Sequence, residues 1–178
     1  GEAAPSAVGL IFPLVTLDTE INIANTAVTQ TTVTISMQQA DGMELASATR
    51  TIAGMGVFQS AASTLFSGVD LTKATYVRMT GATEISATAI VNGFLVSPSW
   101  GALNGANASG TATELNFAHV ISGLGGGGNW LTTVGVINLT SSSNNITITF
   151  NPISGSSTSV QRTIGANGSL RESAEMLF

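Results

Sequence analysis

Catalysis needs a nucleophile, a base, a metal cage or a phosphate cradle, and this chain of 178 residues is sparing with all four. It has no cysteine and a single histidine, His119. A general base is therefore available, but no thiol nucleophile, disulfide framework or thiolate metal site. No Gly-x-Ser-x-Gly elbow accompanies it. His119 lies in a strand-like run at the position Leu14 takes in a related stretch, which favours a strand histidine over a catalytic one. Asp18 and Glu20 are close enough in sequence to form a calcium pair. Calcium takes about six to eight oxygens, and no Asp-rich loop supplies them, so a surface pair is the simpler reading. Lys73 is the single lysine, and nothing in the sequence locates an Asn or Asp partner for an isopeptide crosslink.

The run Gly123-Leu124-Gly125-Gly126-Gly127-Gly128 has the GxGxxG spelling. A dinucleotide site also needs a helix start after the glycines and an acid about 20 residues on. Here Trp130 and a strand-like Val134–Ile137 follow instead, so Gly125, Gly126, Gly127 and Trp130 read as a contact loop. Trp100, Trp130 and Tyr76 could stack on a sugar; with aromatics at 6%, they read first as core or interface anchors. Four N-x-Ser/Thr sequons start at Asn107, Asn138, Asn145 and Asn167 and are candidate glycosylation sites. Asn138 and Asn145 stand on or beside strands, where their side chains could instead satisfy backbone groups.

Composition narrows the function classes. Charged residues make up 8%, against about a quarter in typical soluble domains. Hydrophobic residues reach 43%, which excludes disorder by composition. A net charge of −5 leaves no electrostatic footprint for nucleic acid. Mean hydropathy is +0.37, yet the apolar residues alternate and build no run of about 18, so no spanning helix is expected. The start, Gly1-Glu2-Ala3-Ala4-Pro5, lacks the basic and apolar regions of a signal peptide. A surface of Ser, Thr, Asn, Gly and Ala repels its own copies weakly.

The elements that must position these residues are strands. Ser6–Val15 is a β-like run broken at Pro13. Glu20–Ala24 puts Ile21 and Ile23 on one face. Thr31–Met37 puts Val33, Ile35 and Met37 inward, then turns at Asp41-Gly42 into a returning strand over Leu45–Ile52. Gln59–Phe66 and Arg171–Phe178 are expected as short helical turns. Thr75–Thr80 and Ile85–Val96 read as two strands around a turn at Gly81.

Much of this occurs twice. Asn25 corresponds to Asn138, Val33 to Ile146, Ile35 to Ile148 and Met37 to Phe150, each 113 apart. After one gap, Arg50-Thr51-Ile52 corresponds to Arg162-Thr163-Ile164, Gly56 to Gly168, and Leu65-Phe66 to Leu177-Phe178, each 112 apart. Leu10–Val15 corresponds to Leu115–Val120 at a separation of 105, and the glycine loop fills the difference. Repeats at a fixed period are units of one architecture. The expected fold is all-β: two tandem antiparallel β-sandwich units, each with a short helical turn near its Leu-Phe end. Unit 1 takes residues 13–96, a linker 97–114, and unit 2 residues 115–178.

The second copy shows no counterpart of the two strands after Phe66. Ser6-Ala7-Val8-Gly9-Leu10-Ile11 aligns with Ser86-Ala87-Thr88-Ala89-Ile90-Val91 at a separation of 80, so residues 1–12 could supply the last strand of a unit. That makes Ser6, Ala7, Val8, Gly9, Leu10, Ile11 and Phe12 a candidate assembly strand, entering unit 2 of a neighbour or of its own chain.

The order of Phe12-Pro13, Asn25, Asp41-Gly42, Gly54 to Gly56, Leu65-Phe66, Tyr76-Val77-Arg78-Met79-Thr80 and Ala87-Thr88-Ala89 resembles tandem β-sandwich (Ig-like) repeats of bacterial secreted and surface proteins. The second unit departs from that pattern at Ala118, at the glycine loop and in its missing strands. The resemblance implies an extracellular or cell-surface spacer, adhesive or assembly role, with no catalytic residues and no cofactor. The expected function is a non-enzymatic filament or surface-layer subunit that partners itself by strand exchange. A carbohydrate- or receptor-binding adhesion module using the glycine loop and Trp130 is the alternative.

Overall fold

Aliphatic and β-branched residues at every second position cannot satisfy a helical face, but they give a pleated strand one apolar side. The computed structural model describes residues 6–16, 18–92, 100–117, 120, 123–125, 128–130 and 132–178. Strands dominate it, and the ladders they form are antiparallel. Two compact units are present, Gly1–Thr111 and Ala112–Phe178.

The first unit runs β1 (Ser6–Phe12), β2 (Glu20–Asn25), β3 (Thr31–Gln38), β4 (Glu44–Ile52), β5 (Val57–Ala61), the one-turn helix α1 (Ala62–Leu65), a 3-10 turn at Leu71–Lys73, β6 (Tyr76–Asn92), β7 (Trp100–Asn104) and β8 (Ala106–Asn107). Its organising element is β6, a strand of 17 residues. Residues 76–81 of β6 pair with β3 on one side, while Val77–Thr80 pair with β1 on the other. Residues 85–90 pair with β2, and Thr88–Asn92 with β7. One strand thus ties two groups together, β4-β3-β6-β1-β8 and β5-β2-β6-β7.

Its odd-numbered residues from Val77 to Ala89 face inward, and Met79, Ile85, Ala87 and Ala89 join Ile21, Ile23, Val33, Ile35 and Met37 in one buried cluster. The change of partners falls at Gly81, where a Cβ would stand 2.5 Å from the Thr83 carbonyl oxygen. The partners change there within one sheet, and glycine permits the close approach.

Several expectations are corrected here. Tyr76–Asn92 is one continuous strand, not two strands around a turn. Residues 57–61 form a strand on β2, so the helical turn shrinks to Ala62–Leu65. The Ser6–Phe12 strand belongs to unit 1, where Ser6 and Ala7 pair with Ser86 and Ile85, and Leu10 and Phe12 with Met79 and Val77. Its alignment with Ser86–Val91 arises because adjacent strands of one core share an alternating small-residue pattern. A bulge between Ala7 and Gly9 switches the face, so Ala7, Leu10 and Phe12 all reach the core. Residues 100–107, expected as linker, form β7 and β8 instead, on the flanks of β6 and β1.

The second unit contains the short hairpin β9 (Gly123–Gly125) and β10 (Gly128–Trp130), then β11 (Thr133–Ile137), β12 (Asn144–Phe150), β13 (Thr158–Ile164), β14 (Ser169–Ser173) and α2 (Ala174–Leu177). β11 pairs with β14 and β12 with β13, as separate two-stranded ladders. Here too a strand takes the start of the expected helical turn, Arg171 to Ser173, and the helix is Ala174–Leu177.

The duplication is kept residue by residue. Ile35 faces Ala48 as Ile148 faces Val160, and Ile23 faces Phe58 as Val136 faces Leu170. The one-residue gap falls in the β3–β4 and β12–β13 turns, beyond the matching pairs Met37–Ala46 and Phe150–Thr158.

Met55 and Asn167 occupy the same turn position, both left-handed, at φ 55° and 52°. Asparagine tolerates that region far better than methionine does. Met55 is exposed, so replacing it sacrifices little burial. Met55→Asn is expected to raise the unfolding free energy of unit 1 by about 0.5–1 kcal/mol, measured by urea denaturation.

Candidate functional site

The two ladders of unit 2 are held together by one buried asparagine. Asn138, just after β11, is 5% exposed. Its Nδ2 donates to the carbonyls of Ser142 at 2.7 Å, Ile164 at 3.3 Å and Gly165 at 2.8 Å. Its Oδ1 accepts from the Thr140 amide at 3.1 Å and the Thr140 hydroxyl at 2.8 Å. Asn25 does the same at the end of β2. Its Nδ2 donates to Thr29, Ile52 and Ala53, and its Oδ1 accepts from the Ala27 amide.

The backbone around each asparagine matches too. Asn25 N donates to Gly56 O and Asn138 N to Gly168 O, both at 2.9 Å. An asparagine side chain is the shortest group offering an acceptor for its own turn together with donors for a neighbouring strand.

A second tie in unit 2 is Arg162 of β13, whose Nε and Nη2 reach the two carboxylate oxygens of Glu172 on β14 at 2.9 and 2.8 Å. These bonds hold the Glu172 carboxyl below its ordinary value and raise the Arg162 guanidinium. In unit 1 the corresponding Arg50 lies over the Phe58 ring instead, 5.8 Å from its centroid. Phe150 and Phe178 add a tilted ring contact at 5.5 Å.

The two units differ in what covers these frames. In unit 1, β6 fills the outer edge of β3 and of β2. Among the described residues, no strand pairs with the corresponding edge of β12 or of β11. The side chains register the difference. Ile21, Ile23, Val33, Ile35 and Met37 are fully buried, whereas their counterparts Val134, Val136, Ile146, Ile148 and Phe150 are half-buried. Leu10 and Phe12, which pack along β6, are fully buried; Leu115 and Phe117, their counterparts, are 62% and 65% exposed and lie outside any strand. Phe117 and Val120 line a shallow depression beside Thr133 and Val134 of β11. The candidate site is this pair of open edges with its uncovered apolar faces, a surface suited to binding a strand.

The residues singled out from sequence are scattered. Ser6–Phe12 is seated in unit 1, away from any role in completing unit 2 of its own chain. Gly125 pairs with Gly128, and Trp130 with Gly123, in the β9–β10 hairpin; Gly126, Gly127 and His119 lie outside the described residues. Asn107 and Asn145 are exposed, each accepting through its side-chain oxygen, from Ser109 and Thr163 respectively. Asn167 holds the left-handed turn position. Asn138 is withdrawn from the surface, with its Nδ2 committed to three carbonyls, so the folded chain does not present it to a glycosylating enzyme. Tyr76 is buried in unit 1 and offers no sugar platform.

The Glu20 carboxylate accepts from Asn22 and Gln59, and among the described residues no three His, Cys, Asp or Glu side chains cluster to hold a metal. No described helix is long and apolar enough to cross a membrane. The open edges show in sequence only as absent strands, and among the described residues nothing takes the place of β6 beside them.

Comparison with protein-family models, with curated proteins and with solved structures finds no match to the chain.

Two outcomes follow from the ties. Asn25→Ala and Asn138→Ala each strip a turn of its acceptor and several carbonyls of their donor, and each is expected to cost about 2–4 kcal/mol in its own unit by chemical denaturation. Glu172 has its folded pKa depressed below the ordinary 4.5, so its pairing stabilises unit 2 above that pH and is lost as pH falls through the carboxylate range. The unit 2 unfolding midpoint is expected to drop on acidification, and Glu172→Gln to flatten that part of the profile.

Proposed function

We propose that the chain consists of two tandem antiparallel β-sandwich, Ig-like units, the second an acceptor, and that it is a non-enzymatic building block of an extracellular filament or surface layer. Subunits join by strand exchange. The observation that carries this reading is the pair of open edges on β11 and β12, where the matching edges of unit 1 hold β6.

An edge strand with one apolar face is a template for another strand. Main-chain hydrogen bonds supply affinity, and alternate side chains supply register. Proteins that avoid such pairing place lysine or proline on their edges. Lys73, the single lysine, belongs to unit 1, and neither β11 nor β12 contains a proline. With 8% charged residues, little electrostatic repulsion opposes close packing of copies. Donation from one subunit to the next is heterologous and need not close, so its natural product is a fibre. The partner is therefore the protein itself.

Light scattering and negative-stain electron microscopy over a concentration series test this. Linear assemblies that grow with concentration are expected, reduced by Ile148→Lys on the open face of β12 and unaffected by Val28→Lys, an exposed change in unit 1. A monodisperse monomer at every concentration overturns the proposal.

A further inference from the structure

We propose that Asn107 is a site of N-linked glycosylation, the member of the four sequons that the fold presents as an acceptor. The proposal rests on the extracellular reading above, because the sugar is attached to exported proteins.

The chemistry sets the requirements. The side-chain amide nitrogen attacks C1 of a sugar carried on a lipid pyrophosphate. The N–C1 bond forms, the bond from C1 to the pyrophosphate oxygen breaks, the lipid pyrophosphate leaves, and one amide proton passes to a base of the transferase. The acceptor must therefore offer an Nδ2 that no carbonyl holds, a Ser or Thr hydroxyl two residues on, and a segment that an enzyme can draw into its cleft.

Residues 107–110 meet all three. Asn107 closes β8, a strand of two residues, and is exposed. The Ser109 amide and hydroxyl donate to its Oδ1 at 2.9 and 2.7 Å, and the Gly110 amide donates to its main-chain carbonyl at 3.0 Å. This is a surface turn closed on its own asparagine. It engages the oxygen of the side-chain amide, and among the described residues no acceptor takes the nitrogen.

The turn also borders an open groove of about 440 Å³, lined in part by Val8, Arg78 and Glu84. Val8 is 49% exposed, and the two charged side chains lie at the surface. The first sugar has room there, with an apolar side chain for its ring face and charged groups for its hydroxyls.

Each of the other sequons fails one requirement. Asn138 makes the same pair of contacts with Thr140, two residues on, but its Nδ2 is held by three carbonyls. Asn145 is exposed, yet its whole sequon runs in the β12–β13 ladder, and its Oδ1 accepts from Thr163 of the facing strand. Asn167 is fixed at φ 52° with its main-chain amide on the Thr140 carbonyl, and Ser169 is paired with Ile137. A strand in a ladder resists being drawn out, whereas a surface turn does not.

The test gives the folded full chain and a lipid-linked oligosaccharide to an oligosaccharyltransferase that modifies a peptide of residues 104–111. Intact and peptide mass spectrometry read the products. A mass increase of one oligosaccharide per chain, mapped to Asn107, is expected, with Asn138, Asn145 and Asn167 bare. Asn107→Gln and Ser109→Ala, both at exposed side chains, should abolish the increase, and Ser109→Thr should keep it. Peptides spanning the other three sequons should be modified as readily as the first, which places the selection in the fold.

A folded chain left bare at Asn107 overturns the proposal, as does equal transfer to Asn138. Sequon peptides that differ among themselves in the same order as the folded sites overturn the role of the fold. Fractionation of the cells that make the protein tests its location separately: an intracellular chain contradicts the extracellular reading, while the acceptor geometry stands or falls by the transfer assay.

Discussion

A buried asparagine amide ties together the two ladders of each duplicated frame. In unit 1 β6 also pairs with both ladders; in unit 2 the described ladders, β11–β14 and β12–β13, share no strand, and apolar contact alone does not fix their offset. Asn25 and Asn138 solve this at the same place, linking the end of one ladder to carbonyls at the end of the other. The amide is strong here because it is shielded from water, and for the same reason its loss leaves several polar groups unpaired. Around it the left-handed residue, the following glycine and the one-turn helix recur in both copies. The duplicated frame is a local device of about 40 residues that sets two ladders in a fixed relation.

The frame does not bury its own apolar face. In unit 1 that is left to β6, which changes neighbours at Gly81 and carries β1 and β7 on its free side. The buried cluster draws on β6 and β1, with the partly buried Leu103 of β7 packed against it. Among the described residues of unit 2 no strand takes the place of β6, and the half-burial of Ile146, Ile148 and Phe150 and the exposure of Leu115 and Phe117 accompany that difference. Arg162–Glu172 and Phe150–Phe178 brace the frame but cannot replace a strand. Coverage of the open face is the physical need from which the assembly proposal starts.

How much of this could be read beforehand depends on the element. The alternation of Val33, Ile35 and Met37 announces its strand because period two and β-branched residues agree. The repeat separations of 113 and 112 located matching strands, down to the hairpin that carries the gap. The continuity of β6 is not legible in sequence because Thr80-Gly81-Ala82-Thr83-Glu84 lacks large apolar residues; what keeps it extended is pairing with β3, β1 and β2, which is not local information. β7 and β8 are rich in Ala, Gly and Asn, poor strand formers that pair only because β6 and β1 offer edges. β1 changes face at a bulge, which a period-two pattern cannot express. The open edges of unit 2 show in sequence as missing strands, whereas the exposure of Leu115 and Phe117 shows only when burial in the two copies is compared.

Among the described residues, β11 and β12 lack a partner that β2 and β3 possess. Residue-resolved amide hydrogen exchange on the free, monomeric chain measures this directly, since a central strand protects amides on both edges and an outer strand on one. Amides of residues 144–150 and 133–137 directed away from β13 and β14 are expected to exchange about a hundredfold faster or more than their counterparts in residues 31–37 and 20–24. Equal protection of the two sets in the monomer would contradict the claim, because the edges of unit 2 would then already be filled.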